Sequence, residues 1–454
     1  MNKKIGKAGI LLLWLCLWQL AAFLVNNPVY FASPAETVGE LFLKIKDTAF
    51  WQSLASSLIR ILCGFLTAFV LAFICAFVSL RFRLFRELIS PPVSFLKSVP
   101  VAAVAVILLI WWGSRYLVLC ICMMVVFPNI YANMLSGLEK CDKGLLEMAS
   151  VFRLPFTERF LWIYRPAYLP SLHSAVSVSL GMCFKSGVAA EIIGLPGFSI
   201  GEQLYRDKIY LNSAGVFAWV IVILLLSALT EKLLLCLLRL LAKIPEACPG
   251  EGIIRADHKA AANESLPEGY TVFSDGVSKS FDGRRIIDTE LKLKRGKSYY
   301  LKEPSGAGKT TLLKLIAGLE TADSGSIRAG KLSMVFQEDR LIEGANGLRN
   351  LLLAGCRGEL KEEYLKLLPE HTLLLPASKL SGGERRRLAI IRALLHPSDI
   401  VILDEPFTGL DEESRKKTRD WILRHLDGRT LLYTSHDTEG PAFPEQERIS
   451  LTGV

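Results

Sequence analysis

The chain has 454 residues, of which 51% are hydrophobic, and it carries a formal net charge of +9. This apolar content is concentrated before residue 245, which excludes an ordinary soluble protein and predicts a domain embedded in the lipid bilayer. The positive charge follows from how Lys and Arg are distributed between the two membrane faces, so we expect no nucleic-acid partner.

Six apolar segments in the first half are long enough to cross the hydrocarbon core of a membrane. They cover residues 8–25, 54–80, 92–112, 116–135, 169–193 and 215–238. Lys and Arg are concentrated before the first segment and after the second, fourth and sixth, which predicts six transmembrane helices with both termini in the cytoplasm. A cleaved signal peptide at the first segment is the alternative, but it would leave an odd number of spans.

The segment of residues 305–311 has the composition of a loop that binds a phosphate chain. Glycine lets backbone N–H groups approach phosphate oxygens, Lys supplies positive charge, and a Thr hydroxyl supplies a ligand for Mg²⁺. The residues expected to bind ATP here are Ser305, Gly306, Ala307, Gly308, Lys309, Thr310 and Thr311.

Two further motifs follow this loop in order. A Leu-Ser-Gly-Gly-Glu sequence occupies residues 380–384, and an apolar run at 400–403 fits a buried strand of a parallel sheet. That strand would deliver Asp404 to the metal ion and Glu405 to the attacking water. The ordered set predicts a P-loop α/β domain that hydrolyses ATP.

The Leu-Ser-Gly-Gly-Glu sequence before a basic helix resembles the signature of ATP-binding-cassette (ABC) transporters. The resemblance implies ATP and Mg²⁺ as cofactors, with Mg²⁺ held by Thr310, Asp404 and Gln337. It also implies that Gln337 senses the γ-phosphate and that His436 is the switch histidine. Phe281 lies where the family places an aromatic residue that stacks on adenine, although it could equally be a core residue at a strand end.

In that family, one nucleotide site combines the phosphate loop of one cassette with the Ser-Gly-Gly sequence of another. This chain has a single cassette, so Ser381, Gly382 and Gly383 are expected to contact ATP that a second copy holds. The resemblance therefore implies a homodimer, or a pair with a different half-transporter.

Residues 144–166, between the fourth and fifth predicted spans, resemble the coupling loop of bacterial importer permeases. Glu147, Ala149, Ile163 and Pro166 match the family pattern, whereas an arginine replaces the expected residue at two positions. Those arginines could dock on acidic groups of the cassette, or they could be ordinary cytoplasmic positive charge.

Wider similarity over residues 33–240 resembles the permeases for nitrate, taurine, aliphatic sulfonates and thiamine precursors. This resemblance implies a multi-pass protein of the bacterial cell (plasma or inner) membrane and an extracytoplasmic solute-binding protein as partner. Lys185 lies well inside the fifth predicted span, where an ionisable group is costly unless it faces a cavity or a partner. It could attract an anionic solute, snorkel to the interface, or pair structurally with Glu191.

The predicted organisation is a six-helix transmembrane permease domain at 1–244, a linker at 245–268, and an ABC ATPase domain at 269–454. The expected function is ATP-driven import of a small solute, which would be anionic if Lys185 lines the pathway. Export is one alternative, and a weakly hydrolysing, ATP-gated regulatory membrane protein is another. The second alternative arises because Glu303 occupies a position where the phosphate-loop pattern has glycine.

We predict that Glu303→Gly tightens ATP binding, because it removes a carboxylate next to a polyphosphate. The gain should shrink as salt screens the charge, so ATP affinity is measured at two ionic strengths. An affinity equal to that of wild type would mean that Glu303 points away from the phosphates.

Overall fold

The computed structural model describes residues 2–243, 266–281, 284–302, 307–356, 362, 365–435, 443 and 446–449. The chain forms two compact units, one of Met1–Lys140 with Ala167–Ala247 and the other of Cys141–Pro166 with Cys248–Val454. Residues 244–265, which contain most of the predicted linker, lie outside the described residues. The three domain boundaries therefore stay predictions.

The described part of the first unit is helical. Its helices are α1 (Asn2–Val25), α2 (Pro34–Ile45), α3 (Thr48–Arg81), α4 (Arg83–Ser98), α5 (Val101–Glu139), α8 (Arg165–Gly194), α9 (Ile200–Ile209) and α10 (Ser213–Lys243). Polar side chains fix several starts: Ser33 forms a capping box with Glu36 before α2, and Asp47 caps α3. These caps satisfy backbone N–H groups that have no partner within the helix.

Among the described residues, four helical runs are long and apolar enough to cross a membrane. They are Thr48–Arg81, Val101–Glu139, Phe156–Gly194 and Ser213–Leu240, and Leu12–Val25 is a shorter apolar helix. The predicted membrane region is thus confirmed as helical, while the count of six spans and the orientation of the termini stay predictions.

The third predicted span, 92–112, is not one continuous helix. Val99 and Pro100 are extended, so residues up to Ser98 belong to α4 and those from Val101 belong to α5. The same helical run α5 also contains the fourth predicted span. It is interrupted at Gly113, whose φ of 69° and ψ of −179° are not helical.

The second unit contains a parallel sheet in the order β6-β7-β8-β4-β9. Its strands are β4 (Ser298–Leu301), β6 (Leu332–Val335), β7 (Ile400–Leu403), β8 (Thr430–Thr434) and β9 (Gln446–Ile449). Every residue of β7 and β8 is buried, as expected for strands covered on both faces. The strand predicted at 400–403 is confirmed.

An antiparallel sheet accompanies it, in which β1 (Tyr270–Phe281) pairs with β2 (Arg284–Thr289), β3 (Lys292–Lys294) and β5 (Ser324–Ala329). The described helices of this unit are α6 (Lys143–Val151), α7 (Phe156–Arg159), α11 (Lys309–Ile316), α12 (Gly347–Leu353), α13 (Glu370–Leu374), α14 (Gly382–Leu395) and α15 (Glu412–Arg424). A π-helical turn, Phe160–Tyr164, follows α7.

Candidate functional site

The helix α11 begins directly after the predicted phosphate loop. Gly308 precedes it with φ of 99°, and a Cβ at this position would lie 2.4 Å from Cγ2 of Ile286. Only glycine fits, because both its backbone conformation and its size are required. Lys309 is the first residue of the helix and is buried, Thr310 after it is exposed, and Ala307 and Thr311 are half-buried.

Several predicted site residues cannot be placed in this geometry. Ser305, Gly306 and His436 lie outside the described residues. Phe281 ends β1, where it pairs with Arg284, but its side chain is outside the described part of the chain. The roles predicted for these four residues stay predictions.

A hydroxyl and a carboxylate meet where α11 faces the end of β7. The Oγ1 of Thr310 donates to Oδ2 of Asp404 at 3.3 Å, and the Oγ1 of Thr434 donates to the other oxygen, Oδ1, at 2.8 Å. Burial raises the pKa of Asp404 above its ordinary value, against these two hydrogen bonds. Because Mg²⁺ in nucleotide sites prefers oxygen ligands from few protein groups plus phosphates, Thr310 and Asp404 fit such an ion.

Glu405, the next residue, has an unusual backbone. Its φ is +50°, a left-handed conformation that costs energy for a residue other than glycine. Its N–H donates to Oγ1 of Thr434 at 3.0 Å, and its carboxylate accepts from Oγ1 of Thr408 at 3.4 Å. The side chain is half-buried at the carboxyl edge of the parallel sheet.

Gln337 lies two residues beyond β6 and is exposed. The end of its strand is joined to the next one, because the N–H of Asp404 donates to the carbonyl of Val335 at 2.9 Å. Gln337 therefore extends from the same edge of the sheet as Asp404 and Glu405, as the parallel order requires.

Arg386, which the sequence indicates only as part of a basic helix, is a further residue of this edge. Arg386 is 3% exposed. Its guanidinium donates to five carbonyl oxygens and one carboxylate, those of Phe336, Gln337, Asp404, Glu405, Pro406 and Asp339. An arginine at a buried position of an amphipathic helix was the available signal, since a buried arginine needs several acceptors.

Ser381 is the N-cap of α14 and forms a capping box with Glu384. Partial burial raises the pKa of Glu384, but hydrogen bonds from Ser381 and the contact with His371 outweigh it and lower the pKa to about 2. Ser381 and Gly382 are exposed, and a Cβ on Gly382 would meet no atom within 4 Å. Gly383 is half-buried beside Leu410.

The segment of residues 141–166, which we call the coupling segment, packs within the same unit as the cassette. Oε1 of Glu147 accepts from Nζ of Lys314 at 3.0 Å, and Oε2 accepts from Nη1 of Arg340 at 2.6 Å. Partial burial raises the pKa of Glu147, but these hydrogen bonds outweigh it and lower the pKa below its ordinary value. Glu147 stays ionised at neutral pH, and the pairs are lost only as the medium becomes strongly acidic.

Both cations that hold Glu147 lie near residues that are predicted to bind the nucleotide. Lys314 is on α11, the helix that follows the phosphate loop. Arg340 is three residues beyond Gln337, and its guanidinium lies 3.9 Å from the ring centre of Phe336. One carboxylate of the coupling segment thus binds Lys314, on the helix after the predicted phosphate loop, and Arg340, three residues after Gln337.

Apolar and aromatic contacts accompany these ion pairs. Phe152 is 2% exposed and packs edge-on against His396, with the guanidinium of Arg392 5.0 Å from its ring centre. Glu158, further along the coupling segment, accepts from the guanidinium of Arg349 of the cassette at 3.5 Å. Arg349 also lies over the ring of Trp162.

Two of the other three predicted coupling residues are buried, and their carbonyl groups accept hydrogen bonds from within the segment. Ala149 is fully buried, and its carbonyl accepts from Arg159 at 3.0 Å. Ile163 is buried and its carbonyl accepts from Cys141 Sγ, whereas Pro166 is exposed. Two carboxylates of the segment, those of Glu147 and Glu158, form ion pairs with basic residues of the cassette. The arginine docking considered from the sequence stays a prediction.

Lys185 and Glu191 are both on α8, but Glu191 has other partners. Glu191 is fully buried and accepts from Ser57 Oγ at 2.7 Å, from the N–H of Gly201 at 3.2 Å and from Arg60 Nη1 at 3.4 Å. Lys185 is exposed. The structural pair between Lys185 and Glu191 that the sequence left open is therefore replaced by pairing of Glu191 with α3 and α9.

Each half of the chain matches the model of a known protein family. The family model described as ABC transporter matches residues 286–408. The model described as binding-protein-dependent transport system inner membrane component matches residues 68–240.

Curated relatives match the ATPase half. An aliphatic sulfonates import ATP-binding protein of Rhodococcus jostii is 41% identical over 36% of this chain and 72% of its own length. A spermidine/putrescine import ATP-binding protein of Fusobacterium nucleatum is 33% identical over 39% of this chain and 51% of its own. A sulfate/thiosulfate import ATP-binding protein of Neisseria meningitidis is 36% identical over 34% of this chain and 51% of its own.

These matches confirm the family, the helical membrane region and the ATP-binding domain predicted from the sequence. An importer-type permease and an ATPase that binds and hydrolyses ATP to drive transport are joined in one polypeptide, and the chain belongs to the ABC transporter family.

Proposed function

We propose that two copies of this chain form a transporter that imports a small solute of the sulfonate, nitrate or thiamine-precursor type. The observation that carries the proposal is the contact of Glu147 with Lys314 and Arg340. The coupling segment is covalently continuous with α5 and α8, so movement of the nucleotide-binding elements would be passed to those helices. An exporter or a regulatory protein would not require a binding-protein partner.

The nucleotide chemistry is assigned to residues at the edge of the parallel sheet. Lys309 would bind phosphate oxygens, and Glu405 would accept a proton from the attacking water. Thr310 and Asp404, together with Gln337, would hold Mg²⁺, which supplies positive charge to the phosphates when bound. Ser381, Gly382 and Gly383 would close the site of the partner copy, which the exposure of Ser381 and Gly382 permits.

The remaining partners follow from the importer class. An extracytoplasmic binding protein would deliver the solute to a six-span permease in a bacterial cell membrane, with both termini in the cytoplasm. The test is the ATPase rate of the full chain in proteoliposomes with and without its binding protein. Import predicts stimulation by the loaded binding protein, whereas a rate independent of that protein would contradict import.

Glu405→Gln tests the catalytic assignment. The amide cannot accept the proton, so hydrolysis should fall about 100-fold or more, while ATP binding is retained and the closed dimer accumulates. Single-turnover hydrolysis and nucleotide binding are measured on the same preparation. Turnover near that of wild type would remove Glu405 from this role.

Glu147→Lys tests the coupling contact. It places a third positive charge beside Lys314 and Arg340, so solute uptake per ATP hydrolysed should fall about tenfold, equivalent to about 1.4 kcal/mol. Basal ATPase activity should persist, because the site residues are unchanged. Lys143→Gln, at an exposed position of the same segment, is the control.

A second variant makes the coupling test specific. Combining Glu147→Lys with Arg340→Glu restores an opposite-charge pair and should recover part of the lost uptake. Unchanged uptake in the single variant would mean that the ion pair only stabilises the fold.

Lys185→Met tests the solute path. If Lys185 faces the pathway, the variant should raise the KM for an anionic solute about tenfold, because a charge-assisted contact is lost. Lys208→Met, which removes an exposed charge on α9, is the control. Uptake kinetics equal to wild type would exclude Lys185 from the solute site.

A further inference from the structure

Three consecutive carbonyl oxygens accept hydrogen bonds from one buried side chain. The guanidinium of Arg386 donates to Asp404 O at 2.8 Å through Nη2, to Pro406 O at 3.1 Å through Nε, and to Glu405 O through Nη2. These carbonyls form the 404–406 turn, which follows β7 immediately. The main chain on both sides of Glu405 is therefore held by the buried guanidinium of Arg386.

The turn needs such support because Glu405 has φ of +50°. A left-handed glutamate persists only where its surroundings determine its conformation. On one side Oγ1 of Thr434 accepts the N–H of Glu405 at 3.0 Å, and on the other Arg386 binds its carbonyl. The half-buried carboxylate is thus aimed by contacts made to its own peptide groups.

The remaining N–H groups of Arg386 are directed at the neighbouring strand end. Nη1 donates to Phe336 O at 2.7 Å, to Gln337 O at 3.2 Å and to Oδ1 of Asp339 at 3.3 Å. One planar group thereby ties the backbone of Gln337 to the backbone of Glu405. Lysine could not do this, because its ammonium is a compact point charge without the rigid fork of donors.

We infer that Arg386 is a positioning residue for ATP hydrolysis: it holds the 404–406 turn so that the carboxylate of Glu405 meets the attacking water. This inference rests on the proposed role of Glu405. Arg386 is 3% exposed and belongs to α14, the helix that Ser381 caps. It acts through the main chain and would not touch the nucleotide.

The test is steady-state hydrolysis of labelled ATP by the full chain in proteoliposomes, measured over a range of ATP concentrations. Arg386→Lys should lower kcat about 10- to 100-fold, since small displacements of a reacting group are costly. The KM for ATP should change less than about threefold, because the binding groups on α11 are unchanged. Introduced into the Glu405→Gln background, Arg386→Lys should cause no further loss, because the group that it positions has been removed.

Arg429→Lys is the matched control. Arg429 is also a partly buried arginine that donates to carbonyl oxygens, those of Leu394 at 2.7 Å and His396 at 3.2 Å, away from the 404–406 turn. It should lower the melting temperature and leave kcat within about twofold of wild type. A kcat loss in Arg429→Lys equal to that in Arg386→Lys would overturn the inference, because packing alone would then explain both.

The outcomes separate this inference from the catalytic assignment. Near-normal turnover of Glu405→Gln would refute the role of Glu405 itself. A strong defect in Glu405→Gln combined with normal kcat in Arg386→Lys, or an undiminished further loss in the double variant, would refute positioning by Arg386. If Arg386→Lys does not fold, Asp339→Asn weakens the same guanidinium from outside and should lower kcat in the same direction, again only when Glu405 is present.

Discussion

The parallel register of β6, β7 and β8 is the constraint on which the nucleotide site depends. Leu403 of β7 is level with Val335 of β6 and with Tyr433 of β8, so the three strands end within one residue of each other. Thr434 at the end of β8, Asp404 directly after β7 and Gln337 two residues after β6 therefore reach a single edge, although they are far apart in the chain. The carboxyl edge of a parallel sheet is where such folds place ligands.

The same edge of the sheet is connected to the coupling segment by a short series of side-chain contacts. Arg340 follows Gln337 by three residues, its carbonyl accepts from Arg392 at 2.8 Å, and its side chain holds Glu147. Arg392 in turn lies beside the buried ring of Phe152. The coupling segment is thus packed against the backbone that carries Gln337, rather than against a remote surface of the cassette.

The sequence predicted those parts of the structure that depend on local chemistry. Gly308, Lys309 and the strand at 400–403 were identifiable because conformational freedom, phosphate charge and continuous burial each leave a local pattern. The helical membrane region was identifiable from apolar length alone. Helix breaks were less accessible: Gly113 interrupts α5 through a backbone angle that many other glycines do not adopt.

Contacts between residues far apart in the chain could not be predicted from the sequence, for a different reason. The partners of Glu147 are 167 and 193 residues away, and no single-sequence pattern encodes which distant cations it meets. Arg386 was likewise indistinguishable from its neighbours Arg385 and Arg387 by residue type. Its position on the apolar side of α14 was a signal for burial, but its acceptors at the ends of two strands are defined only by the tertiary structure.

The first two turns of α14 contain both an exposed and a buried group. At its start, Ser381 and Gly382 remain exposed while Glu384 completes the cap, so the helix terminus is stable without a covering partner. One turn later, Arg386 is buried and donates to the carbonyl groups of Phe336 and Asp404. The helix whose start is exposed is thus the same helix that carries Arg386, and Arg386 contacts the backbone of both Gln337 and Glu405. In the proposed dimer, closure of a second cassette over Ser381 would therefore be linked to the 404–406 turn through one short helix.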